Sequence, residues 1–155
     1  METTKVYRFE IEKDGAWKGP FTAGHGHRTC PNGLMKEPQE EGLDFSWGML
    51  SAVERPCQMM NWVSPIQYKE MYEMGYRLAI YEVKEAQHGE TQSVFHKSDI
   101  VSVERFEDWY DAKEFVLADE WRKFSNGDEE YVEKKMTRFR NARAKREAGK
   151  GMEVV

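Results

Sequence analysis

Cysteine is scarce in this chain and long apolar runs are missing. The 155 residues include two cysteines, Cys30 and Cys57, neither in a CxxC spacing. That excludes a disulfide framework and leaves two reduced thiols as the expectation. No apolar stretch approaches the roughly 18 residues that cross a membrane, and the N-terminus alternates where a signal peptide would stay apolar. A cytoplasmic protein with no membrane partner is expected. Also absent are the P-loop motif, a GxGxxG after a strand, the GxSxG elbow and the kinase signatures, so phosphate cradling of those kinds and the hydrolysis that depends on it are set aside. No repeat of 20 to 50 residues is visible.

Aromatic residues and an uneven charge are what the chain has instead. Five Trp, seven Tyr and eight Phe suffice for one core rather than two. The expected organisation is a single domain over residues 1–124 and a basic helical extension over 125–155. The net charge of −5 hides an asymmetry: residues 134–150 carry eight Lys and Arg against Glu147, a local +7, and taking +7 from −5 leaves −12 for the rest. Such a body repels nucleic acid and attracts basic partners, whereas the tail does the reverse. Lys134, Lys135, Arg138, Arg140 and Arg143 are therefore candidate contacts for nucleic acid or an acidic partner. The plainer reading is a solvated helix end whose cations suit the helix dipole.

In KVYRFEIEK, Tyr7, Phe9 and Ile11 alternate with Arg8, Glu10 and Glu12, and Asp14-Gly15 then reverses the chain toward Trp17. That is a strand, a turn and a second strand. Residues 22–44 read as a long loop, and Leu50, Val53 and Glu54 as a short helix that Pro56 ends. Ser64-Pro65-Ile66-Gln67 gives a helix start, and Gly75 its stop. Tyr76–Val83 has apolar residues on both faces and reads as an interior strand. Thr91–His96 and Ile100–Arg105 follow as strands of a meander, and from Phe106 the period turns helical, with Ser125–Asp128 separating two last helices. The fold class expected is α+β: a largely antiparallel sheet, built from an N-terminal hairpin and a later meander, with segregated helices and two of them at the C-terminus.

Four candidate chemistries follow from these residues. His25, His27 and Cys30 crowd into GHGHRTC, but HxHxxC lacks the ligand spacing of a zinc site, and no metal is expected. A thiolate nucleophile at Cys30 or Cys57 would need a histidine held as its base. An acidic surface could dock onto a basic host protein or imitate nucleic acid. Arg8, on the polar side of the first strand, is a candidate ligand anchor. The alternative is that it pairs with Glu10 or Glu12 of its own face.

Tyr7-Arg8-x-Glu10, Gly19-Pro20-Phe21, Phe45-Ser46, Met74-Gly75-Tyr76, Tyr81-Glu82-Val83 and Gln92-x-Val94-Phe95 together resemble small accessory proteins of bacteriophages and prophages, over roughly residues 5–105. The order of elements is also similar, more weakly, to the ADP-ribosyltransferase fold. The first resemblance implies a viral accessory protein of the anti-defence type, acting in the host cytoplasm by binding and inhibiting a host or defence-system component. The second implies NAD as a possible cofactor. Arg8 would then hold the dinucleotide through phosphate or ribose, Ser46 would stand on a middle strand, and Trp47 would stack on a ring. The late-strand carboxylate falls at Glu90, with Gln92 in the neighbouring register. An active transferase would use Arg8, Ser46 and Glu90 as its catalytic set; with Gln92 in place of the acid, the scaffold would bind without turnover.

Overall fold

A computed structural model of the chain describes residues 2–20, 22, 23 and 37–153, the side chains of the last four excepted. The first strand, β1 (Thr4–Lys13), turns at Asp14-Gly15 into the short β2 (Ala16–Lys18). Then come β3 (Met49–Ala52), α1 (Tyr68–Met74), β4 (Tyr76–Val83), β5 (Gln87–His88), β6 (Ser93–His96), β7 (Ile100–Arg105), α2 (Trp109–Phe124) and α3 (Glu129–Glu153). The fold is α+β, antiparallel in its ladders, with two helices closing the chain.

The strands divide between two sheets, one of order β2-β1-β4-β7 and one of order β3-β6-β5. β6 therefore does not lie beside β4; it pairs with β3, placing Met49 opposite His96 and Ala52 opposite Ser93. The segment expected as a short helix before Pro56 is this strand β3. Four residues are too few to show a period of two, and the spacing of Leu50 and Val53 imitates a helical turn. A bridge between Tyr7 and Val53, with N–H···O distances of 3.0 and 2.9 Å, ties the small sheet to the outer edge of β1. That edge is thus shared: Val53 holds it at Tyr7, and β2 holds it from Ile11 to Lys13.

The four-stranded sheet is covered on both sides. On one, Phe9, Leu78 and Tyr76 meet Tyr68, Met71 and Tyr72 of α1, Met59 and Trp62 of the segment before it, and Ala112 and Val116 of α2. Phe9 lies 5.1 to 6.2 Å, ring to ring, from Tyr68, Tyr72 and Tyr76, spacings at which aromatic pairs add to their area burial. On the other side, Val6, Ala79, Tyr81 and Val83 pack against Ala52 and Phe95 of the small sheet. Gly75, in the left-handed region at φ 113°, closes α1 and turns the chain into β4. Asp108 caps α2 by accepting from the Tyr110 N–H at 3.0 Å. α3 folds back on α2, burying Val132 and bringing Phe139 to 4.8 Å from Tyr110.

Candidate functional site: a cationic, aromatic cleft at the divided edge of the first strand

Val6, Arg8 and Glu10 point to the same side of β1, because residues two apart share a face. Val6 enters the apolar layer between the sheets, and the next two positions carry charge. Both are buried, Arg8 at 3% exposure and Glu10 at none. The Glu10 carboxylate accepts from Arg8 Nε at 2.9 Å, from the Tyr81 hydroxyl at 2.7 and 2.8 Å, and from Arg105 Nε at 3.0 Å. Register explains the meeting. Val6 stands opposite Tyr81, Arg8 opposite Ala79, and Ala79 opposite Arg105, so the three strands bring these side chains to one patch. Trp17 of β2 closes the patch, its ring 3.9 Å from the Arg105 guanidinium carbon, a cation–π contact. Burial, followed by the Glu10 carboxylate beside it, pushes the Tyr81 hydroxyl up to about 12, so it stays protonated and donates.

Two guanidinium groups face one carboxylate, a local surplus of one positive charge. Arg8 has two of its three nitrogens committed, Nε to Glu10 and Nη1 to the Ser51 carbonyl. Beside it opens a cleft of about 290 Å³ at the divided edge of β1. Arg8 and Ser51 form polar parts of its wall, Trp17, Phe45 and Trp62 supply aromatic ones, and Lys18 and Lys97 add two more cations. Lys97 is placed by the small sheet: its N–H donates to the Gly48 carbonyl at 2.9 Å. Gly48 has φ 85°, and a Cβ there would come within 2.7 Å of the His96 ring, so any other residue strains this turn and pushes that ring aside.

The other residues singled out from the sequence lie elsewhere. Arg8 pairs with Glu10 of its own face, and it also lines the cleft. Among the described residues lining that cleft, Ser46, Glu90 and Gln92 are absent. Ser46 and Glu90 are exposed, and Gln92 is buried and donates to Glu41 at 2.7 Å. Trp47 is 96% exposed. In the tail, Arg140 is 2.5 Å from Glu114, and Arg143 binds Asp108, Asp111 and Glu147 and lies over the Tyr110 ring. Lys134 is 3.5 Å from Glu130, Lys135 lies over Tyr131, and Arg138 is exposed. His25, His27 and Cys30 fall outside the described residues, among which no three metal-ligating side chains converge. Burial, followed by hydrogen bonding to Asp119, pushes the Cys57 thiol up to about 11, which disfavours the nucleophilic thiolate. Asp119 is instead structural, accepting from Arg55 at 2.9 Å and from the Cys57 N–H at 3.0 Å.

The sequence reading named Glu10 as one of two possible partners of Arg8, and missed Tyr81 and Arg105 as further partners and Trp17, Trp62, Lys18 and Lys97 as cleft walls. A signal for the first group was present. Tyr76–Val83 reads as a strand covered on both faces, and a strand paired with it in the same sheet has no uncovered polar side.

Among the described residues no helix is long and apolar enough to cross a membrane. Neither the comparison with curated proteins nor that with solved structures gives a match. The comparison with family models matches residues 1–109, which carry both sheets and every described residue of the cleft, to the family described as Bacteriophage T4 Y00F protein. The chain belongs to that phage protein family.

Proposed function

We propose that this phage protein is an accessory factor that acts by docking onto, and so inhibiting, a component of the host or of its defences. The observation that carries the reading is Trp47. An indole is normally well buried, yet this one is 96% exposed on a turn fixed by the Met49 N–H donating to the Ser46 carbonyl at 3.1 Å. A solvent-facing tryptophan offers a large apolar ring with few rotatable bonds, and tryptophan is enriched among interface anchors. Charge supplies the steering. Outside residues 134–150 the chain carries −12, and two of the tail's arginines are spent on acids of α2 and α3, so the body favours a basic partner and a fast, salt-sensitive encounter.

The test is affinity capture from host lysate with the protein and its Trp47→Ala variant side by side, at low and at raised salt. One stoichiometric partner is expected on the unaltered protein, reduced by salt and missing from the variant. Equal capture by both proteins, or no partner on either, contradicts docking through Trp47.

A further inference from the structure

We infer that the cleft beside Arg8 binds a small phosphate monoester carried on a flat ring. The site is separate from docking through Trp47, which does not line it, and each reading stands or falls alone.

Charge comes first. Arg8, Lys18 and Lys97 line the cleft, and among the described residues lining it there is no carboxylate. In a chain of net charge −5 this is a local reversal of sign, and a partly enclosed wall of low dielectric focuses its field. Lys18 has a partner, Asp14, at 3.7 Å, but that carboxylate is largely exposed and its attraction is screened. Lys97 has no ion-pair partner among the described residues. Arg8 keeps Nη2 without a hydrogen-bond partner among the described residues, after Nε and Nη1 are taken by Glu10 and Ser51.

Donor geometry then chooses between anions. A carboxylate is best met by an arginine offering two parallel N–H groups. Arg8 offers one nitrogen and the two lysines are separate point charges, so the cleft presents three cations from three different side chains. A phosphate monoester, with three oxygens and a charge of about −1.5 to −2 near neutral pH, matches that number and charge better than a carboxylate does. The walls specify the remainder of the ligand. Trp17, Phe45 and Leu50 line the cleft as partly exposed apolar walls, and Trp62 and Pro20, both buried, back them, surfaces that pack against a ring. A volume of about 290 Å³ lies at the lower end of ligand pockets, about 300 Å³. That suits one ring and one phosphate, not an extended chain.

The sources of such a group are a nucleotide or an aryl phosphate, and tryptophan fluorescence or calorimetric titration separates them. A nucleoside 5′-monophosphate and phenyl phosphate are titrated into the intact protein beside the free nucleoside, phenol and inorganic phosphate. At least one ester is expected to bind saturably and about tenfold more tightly than either of its fragments, with affinity falling as salt rises; the tighter ester names the source. Lys97→Glu, an exposed change that leaves the buried cluster alone, is expected to weaken it about tenfold or more. Arg8→Lys, read in the same titration with folding checked by circular dichroism, is expected to weaken it as well. Absence of saturable binding by both esters, or an unchanged affinity in Lys97→Glu, overturns the assignment.

Discussion

On one face of β1, Tyr7, Phe9 and Ile11 meet the rings of α1 and Ala112, Phe115 and Val116 of α2. On the other, Val6 gives way to Arg8 and Glu10, and the same strand is covered by a carboxylate, two guanidiniums and a phenol. Both faces exclude water, but by different means. The apolar face is held by area and ring contacts that tolerate small shifts. The charged face is held by directional bonds whose members are costly to bury alone. A buried ion pair is a poor source of net stability, since desolvation offsets most of the attraction. The two faces thus differ in what they supply: the apolar one buries area, and the charged one carries a local surplus of one positive charge and brings Arg8 to the wall of the cleft.

The largest effects come from breaking each face once. Phe9→Ala removes a ring fully buried among three tyrosines and is expected to cost about 3 to 5 kcal/mol in urea unfolding. Glu10→Ala is expected to cost a similar 3 to 5 kcal/mol, because it leaves Arg8 and Arg105 buried or half-buried without their counter-charge. A loss under about 1 kcal/mol for Glu10→Ala would mean that the arginines relax to water and that the cluster is not closed.

Two phenols sharpen the contrast at smaller scale. Tyr81 donates to both Glu10 oxygens, and Tyr81→Phe is expected to lose about 1.5 to 3 kcal/mol, the range for hydrogen bonds to charged groups. Tyr68, on the apolar face, has a buried hydroxyl with no hydrogen-bond partner among the described residues. Tyr68→Phe is expected to leave stability unchanged or raise it by up to about 1 kcal/mol. Equal losses in the two variants would erase the distinction between the faces.

The smallest effect is an acid limb that belongs to neither face. Burial tends to raise the Glu41 carboxyl, but bonds from the Thr91 N–H at 2.6 Å, the Thr91 hydroxyl at 2.9 Å and the Gln92 amide at 2.7 Å outweigh it and hold the group below its ordinary value. A depressed folded value gives stability that is present above the unfolded carboxyl value of about 4.3 and is lost as pH falls through the folded one. Glu41→Gln is therefore expected to lower the melting temperature at neutral pH, where the ionised carboxylate contributes, and to converge on the parent below about pH 4.3, so that its acid decline is flatter. A variant as acid-labile as the parent removes Glu41 as a source of the limb.

Local pattern made much of the fold legible. The Asp14-Gly15 hairpin, the stop at Gly75, the strands at Tyr76–Val83 and Ile100–Arg105 and the two last helices all carry their signal within about ten residues. What stayed hidden was non-local. β3 is four residues long and takes its identity from pairing with β6, more than forty positions later. Arg8 and Glu10 alternate as a solvated face would, and only the covering of that face by the small sheet and Trp17 tells a buried charge from an exposed one. Arg8 was singled out from its position on the strand; the lysines and tryptophans beside it converge from β2, from the segment after the small sheet and from the turn before α1, which no spacing in the sequence records.

Replacing the whole cluster at once tests most directly whether it is kept for what it binds. Arg8→Met, Glu10→Leu, Tyr81→Phe and Arg105→Met together remove every charge and its phenol while keeping volume, and the unfolding free energy of that variant is measured against the parent. A stability within about 1 kcal/mol of the parent, or higher, is expected. A loss of about 3 kcal/mol or more would contradict it and show that the charged face holds the fold together in its own right.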